Sequence, residues 1–215
     1  CLEALGARII RSHDGFSVTP IPGSSASDNV LMPLRNATLD CRESGSTLRF
    51  MLPVAGALGA EAEFVGSHRL AERPIGPLYD ELFVGGCNLS PQGRFPLTCA
   101  GKLRAGRFQL PGNVSSQFIS GLLLAAPLLG RPSEIVVSGR IESKPYIDLT
   151  INAMRIFGVE VGCERFAARG GNPERTVYTV TGDPYTSPGE VTVEGDWSNA
   201  AFWLCAAAMG DDTIQ

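Results

Sequence analysis

The chain has 215 residues, 44% of them hydrophobic, and a formal charge of −4, which suits a globular protein with one large or two small cores and speaks weakly against nucleic acid as a partner. No stretch reaches the roughly 20 apolar residues of a membrane span, and none reads as a signal peptide. Six cysteines at positions 1, 41, 87, 99, 163 and 205 show neither a CxxC pair nor metal-ligand spacing, so reduced thiols in a cytoplasmic protein are expected.

In chain order, Cys1 to Leu5 before Gly6 reads as the end of a helix, His13 sits in a polar turn, and Phe16 to Thr19 is a strand. Ser44-Gly45-Ser46-Thr47 opens a helix whose apolar run, Phe50 to Leu58, stops at Gly59. Ile75 to Phe83 before Gly85-Gly86 is a second helix, and Arg107 to Leu110 a strand. Ser115-Ser116-Gln117 opens the apolar run Phe118 to Leu129, which stops at Gly130. Ile135 to Ser138 follows as a strand, Tyr146 to Phe157 before Gly158 as a helix, and Val159-Glu160-Val161 and Val177 to Val180 as strands. Ser187-Pro188-Gly189 is a hinge candidate. Asp196 is placed to cap a last apolar helix, Trp197 to Met209, with Phe202 and Trp203 expected in a core, and a strand is expected from Thr213. With no Met at position 1, the sequence reads as a fragment.

The plan repeats. Ser44 and Ser115 are 71 positions apart, as are Gly59 and Gly130, and a similar helix returns about 80 residues later. Such a unit is too long for a solenoid repeat and suits pseudo-symmetric α/β folding units; helices this apolar on all sides belong between layers.

Ser115 and Ser116 put two hydroxyls and several unpaired N–H groups at the positive end of a helix, a cradle for phosphate. On position alone plain capping is the better reading of them, although one cap needs only one hydroxyl. Arg73 offers a planar fork for a carboxylate or phosphate, or a surface partner for Glu72 or Asp80. Arg69 is read as loop-borne background charge, Lys144 as a solvated charge, and His13 and His68 as surface residues.

Five segments in order, Asp40 to Arg49, Arg69 to Gly76, Leu110 to Leu129, Glu142 to Met154 and Val193 to Ser198, resemble the bacterial 5-enolpyruvylshikimate-3-phosphate synthases. The resemblance implies an α/β fold of the inside-out, pseudo-threefold kind, built from βαβαββ units with helices within and sheets outside. It divides the chain into most of one domain (1–185), a crossover (186–195) and the first helix of a second domain (196–215). It implies enolpyruvyl transfer from phosphoenolpyruvate to the 5-hydroxyl of shikimate 3-phosphate in a monomeric enzyme that uses no metal or organic cofactor and is the target of glyphosate. Ser115, Ser116, Gln117, Ser143 and Tyr146 would bind shikimate 3-phosphate. Gly45, Arg73 and Gln117 would bind phosphoenolpyruvate, with Arg49 as electrostatic support. Arg42-Glu43 stands where the common family pattern has Gly-Asn. The family's acid/base groups have no counterpart motif here, so the chain by itself is expected to bind without turnover. Two alternatives are UDP-N-acetylglucosamine enolpyruvyl transferase, whose acceptor would not call for the Ser-Ser-Gln phosphate site, and a non-catalytic anion-binding module.

Overall fold

The computed structural model describes residues 1–23, 33, 36–171 and 173–210. Two copies of one topology dominate it. In the first, β3 (Ala37–Asp40), α1 (Gly45–Leu58), β4 (Ala62–Val65), the single turn α2 (His68–Ala71), α3 (Gly76–Val84), β5 (Cys87–Leu89) and β6 (Leu97–Gly101) form a sheet ordered β3-β4-β6-β5. In the second, β7 (Arg107–Pro111), α4 (Ser116–Ala125), β8 (Ser133–Ser138), α5 (Lys144–Ile156), β9 (Val161–Phe166) and β10 (Arg175–Val180) give the order β7-β8-β10-β9. Each sheet begins with a parallel pair and continues antiparallel. Both are therefore βαβαββ units. Before them lies the hairpin β1 (Arg8–Arg11) and β2 (Phe16–Thr19), and after them α6 (Trp197–Met209).

The 71-residue repeat reflects the same helix boundaries used twice. Ser44 and Ser115 are the N-caps of α1 and α4, each hydroxyl accepting a backbone N–H, and Gly59 and Gly130 close the two runs at φ 69° and 65°, where a glycine carries no Cβ penalty. Pro127 lacks an N–H, and the second run accordingly finishes as a 3-10 turn, Ala126–Leu129.

Helix α1 packs on α4, and α4 on α5. The inner positions of β3, β4, β7 and β8 close over them, so Leu48, Leu52, Phe64, Phe118, Ile119, Leu123, Ile135 and Val137 share one core. Gly121 permits the α1–α4 crossing: a Cβ there would stand 2.3 Å from the Arg49 carbonyl oxygen.

Several expectations are corrected. Residues Cys1 to Leu5 form hydrogen-bonded turns in place of a helix, though Leu5 is fully buried. The Arg69 segment is helical, because Ser67 caps α2 by accepting from the Leu70 N–H. Strand β9 begins at Val161, after Gly158 at φ 79° has redirected the chain. Phe202 and Trp203 are exposed, at 76% and 66%, because no described element covers α6. Asp196 does accept the Asn199 N–H, as a cap would. The strand expected from Thr213 lies outside the described residues.

Candidate functional site

Parallel pairing puts the carboxyl ends of neighbouring strands side by side, and the loops that leave them meet. At the ends of β7 and β8, the Gly112 N–H donates to the Ser138 carbonyl at 2.8 Å, and the Glu142 N–H to the Gly112 carbonyl at 3.0 Å. This joins the Ser115 and Ser143 turns. At the ends of β3 and β4, the Ser67 N–H donates to the Arg42 carbonyl at 2.7 Å. Arg42 has φ 49°, a region that favours glycine, and its N–H is held by Asp40 Oδ1 at 2.8 Å. The loop thus makes a glycine-type turn at a residue that is not glycine.

The starts of α1, α4 and α5 converge on a cavity of about 710 Å³, lined by Ser46, Arg49, Phe50, Val114, Ser115, Ser116, Gln117, Ser120, Glu142, Ser143, Tyr146, Leu149 and Thr150. Six of the residues singled out by sequence line it together: Arg49, Ser115, Ser116, Gln117, Ser143 and Tyr146. Ser115 Oγ accepts the Gln117 N–H at 3.2 Å, which leaves its own O–H to donate. Ser143 precedes α5 at φ 54°, and its side chain makes no capping bond. A non-glycine residue held left-handed costs roughly 1–3 kcal/mol. Tyr146 is 62% exposed along the wall.

The cationic side lies between α1 and α4. Arg49 donates from Nη1 to Gln117 Oε1 at 2.7 Å and from Nη2 to the Pro74 carbonyl at 3.2 Å, its Nε is buried without a partner, and the guanidinium stands over the Phe118 ring at 5.3 Å. Burial, and then the nearby Arg73 guanidinium, depress its pKa from the usual arginine value. Arg73 pairs with no carboxylate among the described residues. Its Nη1 lies 2.9 Å, and Arg49 Nη1 3.5 Å, from where a Cβ on Gly45 would be. Two guanidiniums held side by side across a glycine invite an anion.

Lys144, read as solvated, instead pairs with Asp148 one helical turn on, at 2.5 Å. His68 faces Glu72 on an exposed surface, consistent with a surface role. Sequence reading missed Ser120 and Thr150, whose hydroxyls meet at 2.7 Å in the cavity wall. Each lies four residues beyond a residue it did choose, Ser116 and Tyr146, and helical period could have found them. No group of three or more His, Cys, Asp or Glu among the described residues could hold a metal ion.

Residues 1–215 match the family model for EPSP synthase (3-phosphoshikimate 1-carboxyvinyltransferase). Among curated relatives, proteins named 3-phosphoshikimate 1-carboxyvinyltransferase from Clostridium beijerinckii and Clostridium novyi are 37% and 36% identical, over 99% and 84% of this chain and 47% and 40% of their own lengths. The chain spans about half the length of the curated relatives it matches. A solved EPSP synthase structure from Acinetobacter baumannii superposes with a TM-score of 0.68 at 19% identity, over 96% of this chain and 43% of that one, which shows a shared fold.

Proposed function

The chain belongs to the EPSP synthase (3-phosphoshikimate 1-carboxyvinyltransferase) family, and from that premise we propose that its cavity binds shikimate 3-phosphate and phosphoenolpyruvate for enolpyruvyl transfer to the 5-hydroxyl of shikimate 3-phosphate, with release of phosphate. The observation that carries this reading is the convergence of Ser115, Ser116 and Ser143, at two helix starts, on one cavity that Arg49 also lines; Gly45 and Arg73 lie outside that lining, with the Arg73 guanidinium beside that of Arg49 across Gly45.

Ser115, Ser116 and Ser143, with the free N–H groups at the start of α4, take the 3-phosphate. Tyr146 lies along the ring. Arg73 grips phosphoenolpyruvate, Gly45 lets the backbone approach it, and Gln117 sits between the two ligands. The transfer protonates the methylene carbon of phosphoenolpyruvate, the 5-hydroxyl gives up its proton as it adds to the cationic carbon, and the tetrahedral adduct loses phosphate together with a proton from its new methyl group, which restores the carbon–carbon double bond. Among its described liners the cavity has one carboxylate, Glu142, and no lysine, so the groups here orient and neutralise two polyanions. The proposed domain boundary follows Tyr185, whose hydroxyl donates to the Leu124 carbonyl, and Thr186, whose N–H donates to the Phe157 carbonyl. Beyond them residues 187–196 are exposed and without regular structure.

Calorimetry on the 215-residue chain tests the assignment. Shikimate 3-phosphate should bind more tightly than shikimate, and Ser116→Ala should weaken only the phosphorylated ligand, by about 1.5–3 kcal/mol, roughly 10- to 150-fold. Equal affinity for the two ligands would refute it.

A further inference from the structure

We propose that Arg49 and Ser46 are positioning residues that lock the amide of Gln117 in one orientation, so that its spare N–H and the Ser46 O–H are presented to the anions in the cavity. This rests on the reading of the cavity as an anion site.

Three groups form a hydrogen-bonded chain across two helices. Arg49 Nη1 donates to Gln117 Oε1 at 2.7 Å, and Gln117 Nε2 donates to Ser46 Oγ at 2.7 Å. A guanidinium has five donors and no acceptor, and it stays charged in proteins. The amide end that faces it must therefore be the oxygen, which turns the NH₂ toward Ser46. One of the two amide protons is spent on Ser46 and the other is left over. Ser46 accepts, so its own proton points elsewhere, and Ser46 lines the cavity. Without Arg49 the amide is free to flip and present a carbonyl oxygen to an anion, turning an attraction into a repulsion.

Arg49 is itself held in place. Its Nη2 reaches the Pro74 carbonyl, next to Arg73 in the chain, and its guanidinium rests over Phe118, the residue after Gln117. The backbone of α1 at Arg49 touches α4 at Gly121. One side chain thus ties α1, the Arg73 loop and α4 together. Arg49 Nε is buried with no partner, a cost that these contacts offset. Lysine keeps the charge but is a point donor, and cannot serve Gln117 and Pro74 from one rigid plane.

The experiment pairs nitrogen–proton NMR of the Gln117 side-chain amide, assigned by its loss in Gln117→Ala, with calorimetric binding of phosphoenolpyruvate in the presence of shikimate 3-phosphate. In the unsubstituted chain the two amide protons should give separate, dispersed resonances. Arg49→Lys should move both toward the positions of exposed glutamines and weaken phosphoenolpyruvate binding by about tenfold or more, while in a Gln117→Ala background the same change should cost less than about threefold. Ser46→Ala, a milder substitution that leaves both helices intact, should shift the Nε2 protons and weaken binding by about three- to tenfold. Unchanged Gln117 resonances in Arg49→Lys, or losses that simply add in the double variant, would overturn the proposal. An amide signature that depends on Arg49 in a chain that binds neither ligand would support the positioning role and overturn the anion-site reading instead.

Discussion

Replacing Gly45 by alanine separates the two anion subsites. The new Cβ would lie 2.9 Å from Arg73 Nη1, where ordinary contact begins near 3.4 Å, so the guanidinium must retreat by about half an ångström. It is the far end of an exposed, flexible side chain, and the backbone at the first residue of α1 is helical, so folding should be insensitive: a melting temperature within about 2 °C, under about 1 kcal/mol for a domain of this size. Binding should not be. A charge-assisted hydrogen bond of about 2.8 Å, stretched by that amount, forfeits much of its 1.5–3 kcal/mol, which predicts a roughly tenfold to hundredfold weaker dissociation constant for phosphoenolpyruvate. Shikimate 3-phosphate should change by less than about threefold, because its phosphate is assigned to α4 and α5. Glyphosate, expected in the phosphoenolpyruvate subsite and slightly larger, should lose more than phosphoenolpyruvate does. Calorimetric titration with each ligand, beside thermal melts of both proteins, provides the measurement. Equal losses for phosphoenolpyruvate and shikimate 3-phosphate, or an unchanged phosphoenolpyruvate affinity, would show that Gly45 and Arg73 do not form the proposed subsite.

Ser143→Gly removes both a hydroxyl and a left-handed penalty, so it should raise stability by about 1 kcal/mol in denaturant titration while weakening shikimate 3-phosphate; a stability loss would contradict the strain at φ 54°. The Tyr178 hydroxyl is buried without a partner, and burial first, then nearby Cys163 and Asp148, push its pKa up to about 12. The folded state therefore holds this proton more tightly than the unfolded chain does, and the associated stability, present below pH 10, should fall as pH rises from about 10 to 12, by up to about 2–3 kcal/mol. Tyr178→Phe should flatten that alkaline limb and stabilise the protein near neutrality by about 1 kcal/mol, as shown by melts across pH. In limited proteolysis, first cuts are expected between Ser187 and Gly195, where the chain is exposed and unpaired with the sheets, and late cuts in α4; equal resistance of the two segments in a monomer would move the proposed boundary.

Local chemistry was legible from the sequence alone. The spacing of Ser44 and Ser115, the stops at Gly59 and Gly130, and the apolar runs between them determine where the two central helices begin, end and bury themselves, because capping and periodicity act within a few residues. The doubled serine and Arg73 suited capping and a surface arginine as well as anion chemistry, and it was the family resemblance that pointed them to anions. Strands β1 and β3 to β6, three to five residues each, escaped notice as strands: over so few residues a period is weak evidence, although β2 and β7, no longer, were read. Only the tertiary structure decided which serine caps and which does not: Ser115 bonds the start of α4, while Ser143 is turned left-handed and makes no capping bond. It also decided that Arg49 meets a glutamine 68 residues away, and that Gln117 in turn meets Ser46, 71 residues away. Those contacts exist because two helices cross closely at Gly121, and a crossing is set by the packing of whole faces, which no short stretch of sequence encodes.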